Sequence, residues 1–495
     1  MVRKLYGDIR ANICEYFALI KKMAIPVLIL ASAYAVSFFA IFRADFYYID
    51  DMSRAYHGMK GWEYFSRYLS NIFSRLFSTG NYLTDVSPLT QISACVLLAF
   101  AGIICLYAIT DKTKFSVWQY VAASFFGLTP FFLECISYKY DSVYMAFSIF
   151  ISAVPMLFYK KNKIFYGFTV FVCILMMCMT YQAASGILPM LTVLIMAKMW
   201  NEKQSNKDII KFFLSSIAGY LSGLVFFKLF IMQKVDNYAS GNMPSASGLI
   251  PNAVENYKAF FTNVKNDLRA EWLILSALIG VAFIYAFIRN SKQKKYIAAI
   301  VAVVATLLMI ALCFGAYPFL LQPIIAPRAM YGFGAMISLW AIYMASSKKI
   351  YWAKLVSVAL CWMFIVFAFS YGNALASQKQ YTEYRISSTV DDLIHLGLLD
   401  GDEVKKVQIT GSIGQDITIR NMPQDFQMMN RLIPVTFGDS GWHWGRYEFE
   451  FYYGLKNIEF DNSIDLTTYD LPVLEDNIYH TIKSDGKHIL IQLKP

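Results

Sequence analysis

Charge is what this chain has least of. Only 16% of its 495 residues are charged, against about a quarter in an ordinary soluble domain. A soluble chain of this length would divide into several cores, each wrapped in a polar surface. Cysteine is also sparse where a framework would need it: there are eight, and none follows Cys361. That excludes a disulfide-stapled tail. Most of the others (Cys95, Cys105, Cys173, Cys178, Cys313 and Cys361) lie in or beside apolar runs without metal-type spacing, so they read as core or lipid-facing residues. The five histidines are scattered and form no two-histidine zinc motif. No glycine-rich phosphate loop follows a strand, Gly411 to Gly414 lacks the spacing of one, and there is no serine-centred elbow. A soluble nucleotide-sugar enzyme is therefore not indicated, and there is neither an internal repeat nor a low-complexity stretch.

What is present is hydrocarbon. The chain is 57% hydrophobic and 17% aromatic, and its apolar residues fall in runs of about the 20 residues that cross a bilayer. About eleven spans are predicted, over 25–42, 89–109, 117–132, 144–158, 164–179, 186–199, 212–232, 272–288, 298–314, 331–344 and 355–370. Ala31-Ser32-Ala33 resembles a cleavage site, but apolar sequence runs on through Phe42, which suits a span better than a signal peptide. The net charge of +10 sits in short clusters between runs (Lys21-Lys22, Lys112 with Lys114, Lys160-Lys161 with Lys163, Arg289 through Lys295, Lys348-Lys349). This is the orientation signal of a membrane protein rather than a nucleic-acid footprint. Arg3, Lys4, Arg10, Lys21 and Lys22 place the N-terminus in the cytoplasm, and alternation over an odd number of spans places the C-terminus outside. Trp118, Trp200, Trp272 and Trp352 fall at span ends, where an interfacial aromatic belt belongs.

From about Asn373 the composition changes. Residues 389–398 have helical spacing, with Val390, Leu393, Ile394 and Leu398 on one side. Residues 404–409, 416–420, 447–453 and 488–493 read as strands between Gly, Asp and Asn turns. The prediction is a transmembrane domain over 1–372 and a small extracytoplasmic α/β domain over 373–495.

Asp50 and Asp51 stand side by side just past the first apolar run. Acidic residues beside hydrocarbon are costly to place, so such a pair is a functional-site hypothesis by default. Two adjacent, partly desolvated carboxylates disfavour each other's ionisation, and a carboxyl tuned this way can take a proton from a sugar hydroxyl. The bland alternative is an ion pair with Arg54, one helical turn on. The pair opens a long first outer loop, 43–88, too long for a mere connector. Residues 62–77 of that loop are amphipathic and predict a helix lying in the interface plane. Arg67, Asn71 and Arg75 are spaced four apart, one stripe for a lipid-linked phosphate or simply for anionic headgroups. A second outer loop carries Glu134, Tyr138, Lys139, Tyr140 and Asp141; a third brings Tyr181-Gln182; a fifth brings Arg328, a phosphate clamp or a snorkelling cation.

Tyr48-Ile49-Asp50-Asp51-Met52-Ser53-Arg54-Ala55, Gly61-Trp62, Ser66-Arg67-Tyr68-Leu69 and Asp85-Val86-Ser87-Pro88-Leu89, in that order, resemble the start of Gtr-type glucosyltransferases. These are the O-antigen-modifying, serotype-converting enzymes of bacterial inner membranes. Ser137-Tyr138-Lys139-Tyr140-Asp141-Ser142 is similar to their second outer loop, where an arginine often replaces Lys139. In the tail, Asp391-Asp392-Leu393 and Val407-Gln408-Ile409-Thr410-Gly411 are similar too. The resemblance implies a GT-C-like membrane glycosyltransferase that moves a sugar, usually glucose, from undecaprenyl phosphate onto a periplasmic polysaccharide such as O-antigen, with inversion. Carried over, Asp50 or Asp51 would be the base. By charge and position, Arg54, Arg67, Arg75, Tyr138, Lys139, Asp141, Gln182 and Arg328 are the candidates for holding substrate and phosphate. No cofactor is implied, and a divalent ion on the phosphate is left open.

Two rival functions belong to other classes. A transporter or flippase for a lipid-linked glycan would need ionisable groups near the midplane, where Lys228 is the clear instance, close enough to a span end to snorkel. A polysaccharide-binding or assembly protein would work through its tail, with Trp442, His443, Trp444 and Tyr447 stacking on sugar rings.

Overall fold

The computed structural model describes residues 2–233, 242–347, 350–439, 444–455, 457–460 and 464–495. Lys348-Lys349, Trp442 and His443 lie outside them. Among the described residues, seven helices are long and apolar enough to cross a membrane: Ala18–Ser37, Leu89–Thr110, Gln182–Asn201, Asn206–Ile231, Ala270–Asn290, Lys295–Leu312 and Tyr351–His395. Three shorter apolar helices, Ser142–Leu157, Lys163–Cys178 and Gly332–Ala345, stand with them.

The expected span over 117–132 is not one helix. It breaks into Val117–Ser124 and Pro130–Ser137. Pro130 lacks the N–H that would continue the first helix and starts the second at its first turn. At Gly127, in the break, a β-carbon would stand 2.7 Å from the Tyr34 ring, so only glycine lets the chain turn there.

Polar contacts sort the connections into two ends. At one end Asp111 pairs with Lys160 and Lys198, the Lys292 N–H donates to the Asn201 carbonyl, and Ser347 meets Asn290. At the other end lie Asp45, Asp51, Glu134, Lys139 and Arg328, joined by the bonds described below. Between the ends the bundle is apolar, one continuous core from Met23 to Ile433.

Tyr351–His395 is a single helix of 45 residues, about 68 Å at 1.5 Å per residue, more than twice a bilayer's hydrocarbon thickness of about 30 Å. The boundary expected near 373 falls inside it, and the helix expected over 389–398 is its last turns. The helix leaves the bundle and becomes part of a second core, where Ile386, Val390 and Leu393 pack on a five-stranded sheet. The strands are β1 (Lys405–Gly411), β2 (Ile458–Phe460), β3 (Val473–Asp476), β4 (His480–Ser484) and β5 (His488–Leu493), in the order β2-β1-β5-β4-β3. β1 runs parallel to β2 and β5, and the remaining pairings are antiparallel.

Two expected strands are helical. Residues 417–421 form a turn of helix because the Asp416 side chain accepts the Thr418 N–H at 3.0 Å, an N-cap that overrides the Ile417/Ile419 alternation. Residues 444–453 are a helix whose Phe449 packs on Phe437 at 5.3 Å and whose Glu448 accepts the Thr436 hydroxyl at 2.9 Å. Tertiary burial decides there against a period-two pattern. Between β1 and the Trp444–Tyr453 helix, the chain doubles back onto the bundle. Phe426 stacks on Trp272 at 5.9 Å, and Arg431 pairs with Asp267.

Candidate active site

The loop after the first span is held against the long helix. Gly372 makes this possible: a β-carbon there would sit 2.5 Å from the Ala40 backbone. Arg43 then bonds Asn373, and Lys379 donates to the Asp45 carbonyl at 2.9 Å. Backbone bends concentrate here. Asp45, Ile49, Ser66 and Thr79 all have positive φ, and Ile49 at 51° is a β-branched residue in a region such residues rarely enter. Strain of this kind persists only where the surroundings over-determine it, commonly at functional sites. Here it sets the two residues that follow Ile49.

Those two acids have different surroundings. Asp51 is fully buried and accepts three backbone N–H groups, from Tyr48 at 3.0 Å, Lys139 at 2.8 Å and Tyr140 at 3.4 Å. Burial pushes its carboxyl up to about 8, against the pull of those donors. Asp51 thereby ties the first outer loop to the second. Asp50 is half-buried and heads the Asp51–His57 helix without capping it through its side chain. Burial, reinforced by Asp141, raises its pKa; Arg54, Arg328 and Arg67 oppose the shift. Among the described residues its carboxylate accepts no hydrogen bond and makes no ion pair. A raised carboxylate with both oxygens open is equipped to take a proton.

The second outer loop is not exposed. Tyr138, Lys139, Tyr140 and Asp141 are all buried beneath the first. Asp141 accepts the Trp62 indole N–H at 2.5 Å and faces Arg54 Nε at 3.2 Å, while the Arg54 guanidinium lies 4.3 Å from the Trp62 ring centre. Arg54 also donates to the Lys60 carbonyl. Lys139 pairs with Asp45 at 2.5 Å and Asp85 at 3.1 Å and sits over the Tyr47 ring. Tyr138 packs edge-on against Tyr48 at 4.8 Å, and the Tyr48 hydroxyl donates to the Leu432 carbonyl at 2.7 Å. Arg328 is fastened to Glu134 through its backbone N–H at 2.7 Å and its guanidinium.

The helix expected over 62–77 is broken. A 3₁₀ turn, Trp62–Phe65, ends at Ser66, whose φ is 58°, and a new helix runs Tyr68–Ser78. Ser66 is held in that bend because its hydroxyl accepts the Gln233 N–H at 2.8 Å. The expected stripe therefore divides. Arg67 precedes the helix, Asn71 donates to Glu63, and Arg75 is exposed. Ile72 and Leu76 are exposed while Phe73 packs edge-on against Phe147 at 5.0 Å, so only part of the helix's apolar side turns outward, as an interfacial helix would.

Arg67 differs from its neighbours. Its guanidinium lies 4.6 Å from the Tyr181 ring centre and 5.2 Å from that of Phe65, and among the described residues its buried Nε has no partner and no carboxylate pairs with it. It stands at one end of a cavity of about 730 Å³. Phe213, Ile217, Tyr220, Leu224 and Phe227, all on one face of Asn206–Ile231, line its length. Met177, Leu188, Val193 and Leu320 complete an apolar wall. Tyr220 donates to the Ser185 carbonyl at 2.8 Å, and Ser185 Oγ accepts the Ala316 N–H at 3.0 Å, which pins three walls together. Gln182 is at the polar end, its amide on the Cys178 carbonyl at 2.8 Å. Lys228 is exposed on the rim, beside the π-turn of Phe227–Ile231.

The sequence singled out Tyr181 and Trp62 but not their pairing with Arg67 and Asp141, and gave no sign of the groove wall on Asn206–Ile231. None has a local signal, since each depends on which helices become neighbours. Among the described residues no cluster of His, Cys, Asp and Glu could hold a metal ion.

A mainly helical body with seven membrane-length apolar helices among the described residues, and polar chemistry gathered at one end, has the character of a membrane protein. The chain belongs to the glucosyl transferase GtrII family, whose pattern matches residues 39–339 and so includes the site but not the sheet. That makes it a glycosyltransferase. It is also similar to an uncharacterized 55.3 kDa protein in the gtrB 5′ region of Salmonella phage P22, 25% identical over 438 residues, covering 82% of this chain and 85% of that protein. No solved structure matches.

Proposed function

We propose that the protein moves a sugar, glucose by its family, from a polyprenyl phosphate of the undecaprenyl type onto a polysaccharide such as O-antigen. One observation carries this reading: the apolar groove ends at an arginine without a carboxylate partner, and that arginine lies within electrostatic reach of an open carboxylate, Asp50. Hydrocarbon chain, phosphate and reacting hydroxyl thus have adjoining places.

In this mechanism Asp50 accepts the proton of the acceptor hydroxyl. The hydroxyl oxygen attacks the anomeric carbon from the face opposite the phosphate, the carbon–oxygen bond to phosphate breaks, and the configuration inverts. Arg67, with Arg328 behind it, balances the charge that appears on the departing phosphate. Asp51 holds Asp50 in place through the second loop. Arg54, Lys139 and Asp141 shape the site, while Gln182 lies beside the donor and Arg75 meets lipid headgroups.

The proposed topology has eleven crossings in a GT-C-like body over 1–372, counting the broken Val117–Ser137 segment as one, with catalytic loop 43–88. The lysine-rich end faces the cytoplasm, and the acidic end and the domain over 373–495 face the periplasm of the inner membrane. A transporter has less support, because among the described residues the charged ones lining the groove, Arg67 and Lys228, stand near one end of it. The test is reconstitution in liposomes with undecaprenyl-phosphate glucose and delipidated O-polysaccharide. Transfer by the wild type and none by Asp50→Asn is expected; undiminished transfer by Asp50→Asn, or labelling of position 50 from the cytoplasmic side alone, would overturn the mechanism.

A further inference from the structure

The Asp51–His57 helix has a second end. Asp50 stands at its N-terminus. At its C-terminus Tyr56, His57 and Tyr447 form a cluster of rings, with centres 4.8 Å apart for Tyr56 and His57, 5.8 Å for Tyr56 and Tyr447, and 5.4 Å for His57 and Tyr447. Gly58 caps the helix with φ at 64°, and Tyr82 lies beside that cap: its ring edge is 3.6 Å from where a Gly58 β-carbon would be. Tyr56 is 43% exposed and Tyr82 75%. Three polar-edged rings in contact, with Tyr82 beside them across Gly58, therefore form an open shelf whose Tyr56 is only six residues from the proposed base, about 9 Å along the helix axis.

Tyr447 is what assigns the shelf an occupant. It comes from the Trp444–Tyr453 helix, which Phe449 and Glu448 root in the core of the sheet domain. That domain packs on the part of the 45-residue helix that extends beyond the bundle, so one ring of the shelf is supplied from outside the apolar bundle. By contrast, the loop's lipid-facing side chains, Ile72 and Leu76, are on a different helix. Flat rings carrying hydroxyl and imidazole edges stack on the C–H faces of pyranose sugars and bond their hydroxyls.

We infer that Tyr56, His57, Tyr82 and Tyr447 form a subsite for the acceptor glycan, which grips sugar units next to the one whose hydroxyl reaches Asp50. The inference rests on the glycosyl-transfer reading above and adds to it which face of the site receives the acceptor. It also gives the sheet domain a role, that of completing the acceptor site.

The test measures binding without turnover. Full-length protein carrying Asp50→Asn is placed in nanodiscs and titrated with the host cell's surface polysaccharide, freed of its lipid. Adding Tyr56→Ala with Tyr447→Ala is expected to weaken binding by about tenfold or more, the scale of one or two lost ring contacts. Tyr56→Phe with Tyr447→Phe, which keeps the rings, is expected to restore most of it and shows that the packing survives. Equal affinity in the alanine pair would overturn the subsite, as would an alanine pair that lost binding to empty anionic liposomes instead of to glycan. Residual transfer by Asp50→Asn would sink the base assignment and leave this binding result standing, so the two failures are separable.

Discussion

Asp51 accepts the backbone N–H of Lys139 at 2.8 Å, a bond between residues 88 positions apart in the chain. Through it, and through the N–H groups of Tyr48 and Tyr140, one carboxylate fixes where two outer loops meet. Its neighbour Asp50 accepts no such bond among the described residues. The same substitution at the two positions should therefore act differently.

Asp51→Asn replaces one accepting oxygen with an NH₂ that faces a backbone N–H. A buried donor left without an acceptor costs about 1–3 kcal/mol. The variant should unfold at lower temperature in detergent and lose activity with its structure. Asp50→Asn should melt within a degree or two of wild type and still fail to transfer. If the melting shifts came out reversed, the division of roles between the two acids would be wrong.

Among the described residues Arg67 is held over the Tyr181 ring rather than by a carboxylate, so its charge is left for a ligand. Arg67→Ala should lower kcat/KM for the lipid donor by about ten- to a hundredfold, the range of one charge-assisted hydrogen bond. Arg67→Lys keeps the charge but loses the flat fork, so its deficit should fall between alanine and wild type. Equal transfer rates in all three proteins would remove Arg67 from the phosphate's surroundings.

The groove should be sensitive to chain length. Ile217 lines it on the exposed face of Asn206–Ile231, about a third open. Ile217→Trp would fill space that a prenyl chain occupies. Each CH₂ kept out of apolar surroundings costs about 0.8 kcal/mol, so displacing two of them weakens the donor about tenfold. A soluble donor with a single prenyl unit should barely notice the change. Competition assays with long- and short-chain donors would check this, and an equal effect on both would place the hydrocarbon elsewhere.

The membrane body was largely readable because hydrocarbon imposes its period on every span. Seven of the expected spans overlap helices of full membrane length, and three overlap shorter ones. The 117–132 segment misled because composition reports apolarity but not the helix stop after Ser124 and the restart at Pro130. The tail was harder. Its strand at 405–411 alternates and 488–493 is a short apolar run, whereas β2 is three residues and β3 is mostly exposed, leaving little pattern to read. In the site, Asp50, Arg54, Arg67, Lys139, Asp141 and Arg328 could be picked out by type and loop. What distinguishes them is pairing: Arg54 with Asp141, Lys139 with Asp45 and Asp85, Arg328 with Glu134, and Arg67 with a ring. Pairing belongs to the fold, and spacing along the chain does not encode it.

Glu448 gives the sheet domain a pH dependence whose sign can be worked out. Its carboxyl is buried, one oxygen accepts the Thr436 hydroxyl at 2.9 Å, and the other has no partner. Burial raises its pKa from 4.5 to about 7, with Glu383 adding to the shift and Thr436 opposing it. The folded domain thus holds this proton more tightly than the unfolded chain does. Its stabilisation is complete below the unfolded value, near pH 4.5, and is lost as pH rises toward 7. Thermal unfolding should therefore show the domain melting higher at pH 5 than at pH 7.5. Glu448→Gln keeps the acceptor oxygen and cannot ionise, so it should flatten that difference and raise the melting temperature at pH 7.5. Because the Trp444–Tyr453 helix also carries Tyr447, the same variant should tighten acceptor binding at alkaline pH. A wild-type melting temperature that climbed between pH 5 and 7.5, with Glu448→Gln following it, would mean that another group governs the domain.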